Sequence, residues 1–414
     1  IKKGYKQTEV GIIPNDWEVR KLGEIGTFKK GRGIKKDAVL LDGLPCIRYG
    51  EIYTHHNEYI KKFNSFISIE TARESQKIKQ GDLLFAGSGE TAEEIGKCVA
   101  YLDRKEVFAG GDIIILSPFE DDYDSKYLGF LFNNGVIVKQ KSQMAQGDAV
   151  VHIYSSNLAK IFSPLPPTKA EQTAIAEALS DADALISRLE ELIAKKRNIK
   201  QGAMQELLTG KKRLPGFSGE WEVKKLGDIA EYRNGKSYEN CIVEDGDYLL
   251  ITLDSIDIRG KLKSEHKKIS INDNSLLKGD LIMILSDVAH GYFLGLTDVI
   301  PESNKYVLNQ RVGVLKNLKG ILPYFLSKYI NTNQRYFKLT GQGSSQQNLA
   351  KDDILNFSVS VPPITEQTAI AQVLSDMDAE IEQLEQKLDK YRAIKQGMMQ
   401  ELLTGKIRLN CDFG

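Results

Sequence analysis

The sequence predicts two α/β (α+β) domains of similar build joined by two long helices that pair as an antiparallel coiled coil, the whole forming a pseudo-twofold internal repeat. Three observations lead there: matched segments about 200 residues apart, two uninterrupted helical stretches with one heptad stripe, and short apolar runs of strand length. Trp17 opens W-E-V-R-K-L-G-E-I, and Trp221 opens W-E-V-K-K-L-G-D-I 204 residues later. Glu171 and Glu366 each open E-Q-T-A-I-A at an offset of 195, and I-K-Q-G at Ile199 and Ile394 and Q-E-L-L-T-G-K at Gln205 and Gln400 keep that offset. Between the matched ends the two halves diverge, apart from echoes such as G-D-L-L at Gly81 and G-D-L-I at Gly279. A period this long is no solenoid, so each repeat should be a folded domain followed by a shared connector.

In chain order, residues 1–165 form the first domain and residues 166–212 the first helix, residues 213–361 the second domain, and residues 362–414 the second helix with a C-terminal tail. Strands are expected at Asp112 to Leu116 and at Leu281 to Leu285, where apolar residues run together. Pro166-Pro167 ends the first domain, and Thr168 with Glu171 gives a capping-box pattern before a helical stretch that reaches Gly210. The second helix runs from about Thr365 to Gly405. Its heptad stripe is Leu374, Met377, Ile381, Leu384, Leu388, Tyr391, Lys395, Met398 and Leu402. The first helix carries Leu179, Ala182, Ile186, Leu189, Ile193, Lys196, Lys200, Ala203 and Leu207 in the same register. Neither stripe suits water, so the two should bury each other. A twofold relation between the repeats makes them antiparallel, with the globular domains at opposite ends. The alternative is two unrelated helices, each packed on its own domain. A further row, Leu185, Leu192 and Ile199, is apolar only in the first helix and is expected to face a neighbouring domain or a partner.

Bulk composition narrows the classes. With 414 residues, 41% of them hydrophobic, each domain has enough apolar material for its own core. Cys46, Cys98, Cys241 and Cys411 show no paired spacing, which fits a reducing cytosol and argues against a structural metal. Apolar runs such as Ile113 to Leu116 fall far short of a membrane span, no signal peptide is visible, and a cytoplasmic location is expected. The chain opens at Ile1 without methionine, which leaves room for native residues ahead of it. Its 56 basic and 56 acidic residues balance, which weighs against a protein that holds nucleic acid alone unless the basic residues are grouped or partners supply phosphate contacts.

The matched segments carry a resemblance. The opening G-Y-K-Q-T-E-V-G-I-I-P-N-D-W from Gly4 to Trp17, the helix starts L-P-P-T-K-A-E-Q and V-P-P-I-T-E-Q, the exits Q-E-L-L-T-G-K, and L-P-G-F-S-G-E-W from Leu214 to Trp221 together resemble the specificity subunit of type I restriction-modification systems. The resemblance covers nearly the whole chain. It implies two target-recognition domains, each reading half of a bipartite site in double-stranded DNA, with the coiled coil as spacer. It also implies partners: modification (methyltransferase) subunits, usually two, that use S-adenosylmethionine, and restriction subunits that use ATP and Mg. No cofactor is expected in this chain, and no base-contact residue carries over.

Candidate contacts must therefore come from the residues themselves. Phe85-Ala-Gly-Ser-Gly-Glu90 looks like a methyl-donor loop, but the Pro-Pro pairs follow Leu165 and Val361 and give no N-P-P-Y-like companion, and the aligned Met283-Ile-Leu-Ser-Asp287 lacks the glycines. A loop between strands fits better, and Ser88 within it is counted as a possible DNA contact. Histidines 55, 56, 152, 266 and 290 show no ligand spacing, and no phosphate-binding glycine-lysine motif occurs. The densest basic cluster is Lys29, Lys30, Arg32, Lys35 and Lys36, with Arg233, Lys236 and Tyr238 as its second-repeat counterpart. These glycine-broken loops suit phosphate contact or are ordinary solvated loops. Gln146 to Tyr154 and Gln342 to Asn348 offer His152, Tyr154, Gln346, Gln347 and Asn348, either as base readers or as turn residues. The sequence thus favours DNA recognition without catalysis. A self-contained DNA methyltransferase and a coiled-coil adaptor that binds only proteins are the rivals.

Overall fold

The computed structural model describes residues 2–119, 122–273, 276–288, 292–343 and 346–409. His290 and Cys411 lie outside the described residues. The chain divides into two compact units, Ile1–Glu190 with Gln386–Gly414, and Glu191–Glu385. Each unit therefore takes the opening half of one long helix and the closing half of the other.

In the first unit, strands Cys98–Ala100, Leu83–Ala86, Ile113–Pro118 and Gly26–Lys30 lie side by side in that order, all antiparallel. A second sheet orders Ser65–Ile67, Leu44–Ile47, Val107–Ala109 and Gln76–Ile78, with Leu44–Ile47 parallel to Val107–Ala109. Side chains alternate across a strand, so an unbroken apolar run needs cover on both faces. Ile113 to Leu116 has it. Ile114 and Leu116 join Leu83, Phe85, Tyr127, Phe130 and Phe132 in one core, while Ile113 and Ile115 join Leu84, Ala86, Val99 and Val107 in another.

The second unit repeats the plan. Glu231–Asn234, Val312–Lys316, Leu281–Ile284 and Thr297–Val299 form an antiparallel sheet, and Tyr248–Ile251 runs parallel to Tyr306–Leu308 in the other. Leu281, Met283 and Leu315 face Phe325 and Phe337, while Ile282, Ile284, Val312 and Val314 face the opposite core. The expected strands at Asp112 to Leu116 and Leu281 to Leu285 are thus present as the central strands of equivalent sheets.

Both helices are continuous over 39 residues, Lys169–Leu207 and Ile364–Leu402, about 60 Å each at ~1.5 Å per residue. The backbone N–H of Glu171 donates to Thr168 Oγ1 at 3.3 Å, the first half of the expected capping box. Of the stripe, Leu179, Leu189, Ile193, Leu207, Leu374, Ile381, Leu388 and Leu402 are buried, and Ile186, Met377, Leu384, Tyr391 and Met398 half-buried. Polar pairs fix the direction. In the first unit Lys395 contacts Asp183 at 2.7 Å and Arg392 contacts Glu190 at 2.6 Å. In the second, Lys200 pairs with Asp378 and Arg197 with Glu385. One residue number rises as the other falls, so the helices are antiparallel, and the two sets are related by the 195-residue offset. The stripe lysines Lys200 and Lys395 are therefore paired positions in the seam, which specify register in the way polar seam residues do. Leu192 and Ile199 of the extra apolar row are exposed. Among the described residues no helix is long and apolar enough to cross a membrane.

The helix exits explain the repeated motifs. Gly405 ends the second helix with φ +70°, and a Cβ there would lie 2.6 Å from Pro14 and 3.1 Å from the Trp17 ring. Leu402 and Leu403 share the core of Trp17, Ile175 and Leu179. Arg408 then grips Glu171 through Nε at 2.5 Å and Nη2 at 2.8 Å. The second unit does the same: Gly210 packs on Trp221, and Arg213 binds both oxygens of Glu366 at 2.5 and 2.6 Å. The tryptophan, the E-Q helix start and the L-L-T-G-K exit thus meet in each unit. Arg408→Ala strands the buried Glu171 carboxylate and is expected to lower unfolding free energy by about 1–3 kcal/mol, with Glu171→Gln recovering part of the loss. Urea unfolding checks this, and a loss no larger than that of the exposed Arg104→Ala would contradict it.

Candidate nucleic-acid interface

In the first unit the basic loop leaves the sheet edge. Lys29 and Lys30 end strand Gly26–Lys30, opposite Ile115 and Ile114. Gly31 then donates its N–H to Ile113 O at 2.8 Å, and a Cβ at Gly31 would sit 1.9 Å from Gly110 O. Only glycine lets the backbone pass this close. The loop turns outward with Lys29, Lys30, Arg32, Lys35 and Lys36 all exposed, and none of the five forms an ion pair among the described residues.

The polar segment Gln146 to Tyr154 is a hairpin docked beside that loop. Gln146 and His152 exchange backbone hydrogen bonds of 3.0 and 2.7 Å around Gly147, whose φ is +107°. His152 lies opposite Ser88 in a short antiparallel pairing, and its Nδ1 is 3.0 Å from Ser88 Oγ. Lys29, Lys30, Ser88, His152 and Tyr154 line one recess of about 200 Å³, with Asp112 on its wall. Tyr154 is exposed at its rim. Arg32, Lys35 and Lys36 stand outside the recess, in the loop beyond it. The segment Phe85 to Glu90 is strand, Gly87, then the Ser88–Gly89 strand. Gly87 is required because a Cβ would lie 2.9 Å from Asp112 O. Its small residues are thus accounted for by backbone packing.

The second unit holds the same construction. Gly235 donates to Val312 O at 3.0 Å, and its Cβ would lie 1.9 Å from Asn309 O, so Gly235 matches Gly31, Arg233 matches Lys29 and Lys236 matches Arg32. Arg233 and Lys236 are exposed. Gln342 and Asn348 exchange backbone hydrogen bonds of 2.9 Å around Gly343, with φ +118°. Gln346–Asn348 pairs with Ser286–Val288, placing Asn348 opposite Ser286 and Gln347 opposite Asp287. Tyr238 does not join this surface. It packs half-buried against Leu250, Ile269 and Val307, and its hydroxyl donates to Asp273 at 3.2 Å. Two neighbours were missed from the sequence: Ser286, signalled by the shared serine of the aligned segments, and the exposed Arg311, which takes the place of Asp112 and adopts φ +66°. Nothing in the local pattern marks Arg311.

The profile of the type I restriction modification DNA specificity domain matches the chain twice, over residues 14–201 and 218–390. The chain belongs to this family. Curated relatives include the type I restriction enzyme MjaVIII specificity subunit of Methanocaldococcus jannaschii, 25% identical with 99% of this chain and 97% of the relative covered. The EcoKI specificity subunit of Escherichia coli is 22% identical, with 96% and 90% covered. Among solved structures, the type I restriction-modification S subunit from M. genitalium shares the fold with a TM-score of 0.58 at 16% identity, over 93% of this chain and 96% of that one. A chain from a structure concerned with assembly of the type I R-M system gives 0.60 at 15% identity, over 95% and 99%. In this member of the specificity family, then, both profile matches contain a basic loop and a polar hairpin of the same build.

The close approach at Gly31 is open to direct trial. Gly31→Ala should destabilise by about 1–3 kcal/mol through overpacking against Gly110. Gly50, in helix Tyr49–Thr54 with nothing within 4 Å of its Cβ position, should tolerate alanine or gain up to ~1 kcal/mol. Equal effects in thermal unfolding would contradict the packing account.

Proposed function

We propose that this chain is the sequence-reading, non-catalytic subunit of a type I restriction-modification complex, in which residues 1–165 and 213–361 each read one half of a bipartite DNA site and the long helices set the spacing. The observation that carries the reading is the doubled site: two loops of exposed cations, each anchored by a glycine that admits no Cβ, each beside a polar hairpin. Lys29, Lys30, Arg32, Lys35 and Lys36 in one unit, and Arg233, Lys236 and Arg311 in the other, are the phosphate-facing groups. His152, Tyr154, Gln346, Gln347 and Asn348 are the base-facing groups, with the buried Ser88 behind His152. Tyr238 is a packing residue in this account. Grouping of cations meets the objection raised by zero net charge, since the five basic residues of the first loop are exposed and unpaired with carboxylates among the described residues.

The chemistry belongs to partners. Two modification subunits would dock on the framework and bring S-adenosylmethionine, restriction subunits would bring ATP- and Mg-dependent cleavage, and the assembly would work in the cytoplasm. Of the rival readings, a self-contained methyltransferase gains nothing from the Phe85 to Glu90 segment, and a protein-only adaptor leaves the two exposed cation loops without a role.

The test is DNA binding by the complex reconstituted with its modification subunits, measured across salt concentrations. Lys29→Ala with Arg32→Ala should weaken binding to specific and non-specific DNA alike and reduce the slope of log K against log salt by about 0.9 for each phosphate no longer neutralised. An unchanged slope, or a reconstituted complex with no sequence preference, would remove the proposal.

A further inference from the structure

The hairpins share a feature that neither the family match nor the sequence pattern assigns. His152 and Asn348 occupy one and the same position in the two units. Each lies at the end of a Gln-Gly hairpin, at the backbone bridge to Gln146 or Gln342, and the next residue is tied to the central sheet: Ile153 N–H donates to Gly87 O at 3.0 Å, and Leu349 N–H to Leu285 O at 2.9 Å. Opposite each stands a serine at 5% and 4% exposure, Ser88 and Ser286. Ser88 Oγ lies 3.0 Å from His152 Nδ1, and Ser286 Oγ donates to Asn348 Oδ1 at 2.6 Å.

We propose that His152 and Asn348 are equivalent specificity-determining residues, each presenting a single N–H donor to an acceptor on a base edge in the major groove, and that Ser88 and Ser286 are positioning residues that select that donor. This rests on the reading of the two units as DNA readers. The 3.0 Å contact allows the Ser88 hydroxyl to donate to Nδ1 or to accept from it; the donating arrangement, matching the Ser286 donation to Asn348, puts the proton of a neutral imidazole on Nε2. In the second unit the amide oxygen of Asn348 accepts from Ser286 and from Gln346 Nε2 at 3.3 Å, and Asn348 Nδ2 donates one proton to Gln346 O at 3.3 Å. Asn348 is exposed, and its other N–H has no hydrogen bond among the described residues. With Oδ1 occupied, Asn348 is not a bidentate reader of adenine, the pairing its residue type alone suggests. Two different side chains are thereby reduced to one role. The matching acceptors are purine N7, guanine O6 or thymine O4.

The experiment is methylation mapping of the complex reconstituted with its modification subunits, for the unmodified chain and for His152→Ala, His152→Asn, Ser88→Ala and Asn348→Ala. His152→Ala should lose discrimination at one base position of one half-site by roughly tenfold or more, with the other half-site intact. Asn348→Ala should do the same in the other half. Ser88→Ala should relax the same position as His152→Ala, by a smaller factor, because the imidazole remains without its fixed tautomer. His152→Asn, which moves the second unit's side chain onto the first unit's serine, should keep the base preference that His152→Ala loses. Uniform loss across all positions in these variants, or a motif unchanged in all of them, would overturn the proposal. Should a variant chain unfold, as read by its melting curve, the His152→Asn and Asn348→Ala maps still decide. Absence of any bipartite motif for the unmodified chain would instead refute the underlying DNA-reading function.

Discussion

A carboxylate held at 0% or 5% exposure cannot remain ionised without a partner, and for Glu366 and Glu171 the partner comes from the far end of the other repeat. Glu366 starts the second helix and is gripped by Arg213, just past the exit of the first. Glu171 starts the first helix and is gripped by Arg408, just past the exit of the second. Each compact unit is thus assembled from segments distant in the chain. Leu402 and Leu403 fill the core that Trp17 begins, and without them that core would be open. The requirement explains why the tryptophan segment, the helix start and the helix exit repeat almost unchanged while the residues between them differ. They are three parts of one joint, made twice.

The same logic runs along the helices. Lys395 is drawn to Glu58 and Asp183, and although burial alone would lower its pKa, the two carboxylates raise it overall. Lys200 meets Asp378 at the matching place in the other unit. An ammonium in a seam is costly unless its counter-charge arrives in register, so these pairs penalise any slip of one helix along the other. The consequence reaches the proposed function. A framework that fixes its own register leaves the intervening domains free to vary their loops, and the loops are where the exposed cations and polar hairpins sit.

Much of this was legible in the sequence because it is written in periods. The 195-residue offset, the heptad stripe and the runs at Ile113 to Leu116 and Leu281 to Ile284 depend on local patterning, and the structure keeps them. The candidate site was legible only as separate pieces. Lys29 and His152 are over a hundred positions apart in the sequence, and their approach depends on strand pairings that no local pattern declares. Tyr238 shows the converse: a tyrosine in a polar, glycine-broken segment reads as exposed, but the parallel strands Tyr248–Ile251 and Tyr306–Leu308 offer an apolar surface that it covers. Arg311 was invisible for a similar reason, since its place beside the second loop follows from the bend before Val312–Lys316.

Two equivalently built domains that read two half-sites independently should be exchangeable one at a time. Replacing residues 20–160 with the corresponding segment of a related specificity subunit, and mapping the methylated motif of cells that carry the partner subunits, tests it most directly, because the framework joint stays in place while one reader changes. One half of the bipartite motif should change and the other half be retained. A chimera that folds and methylates but shows both halves altered, or neither, would contradict it.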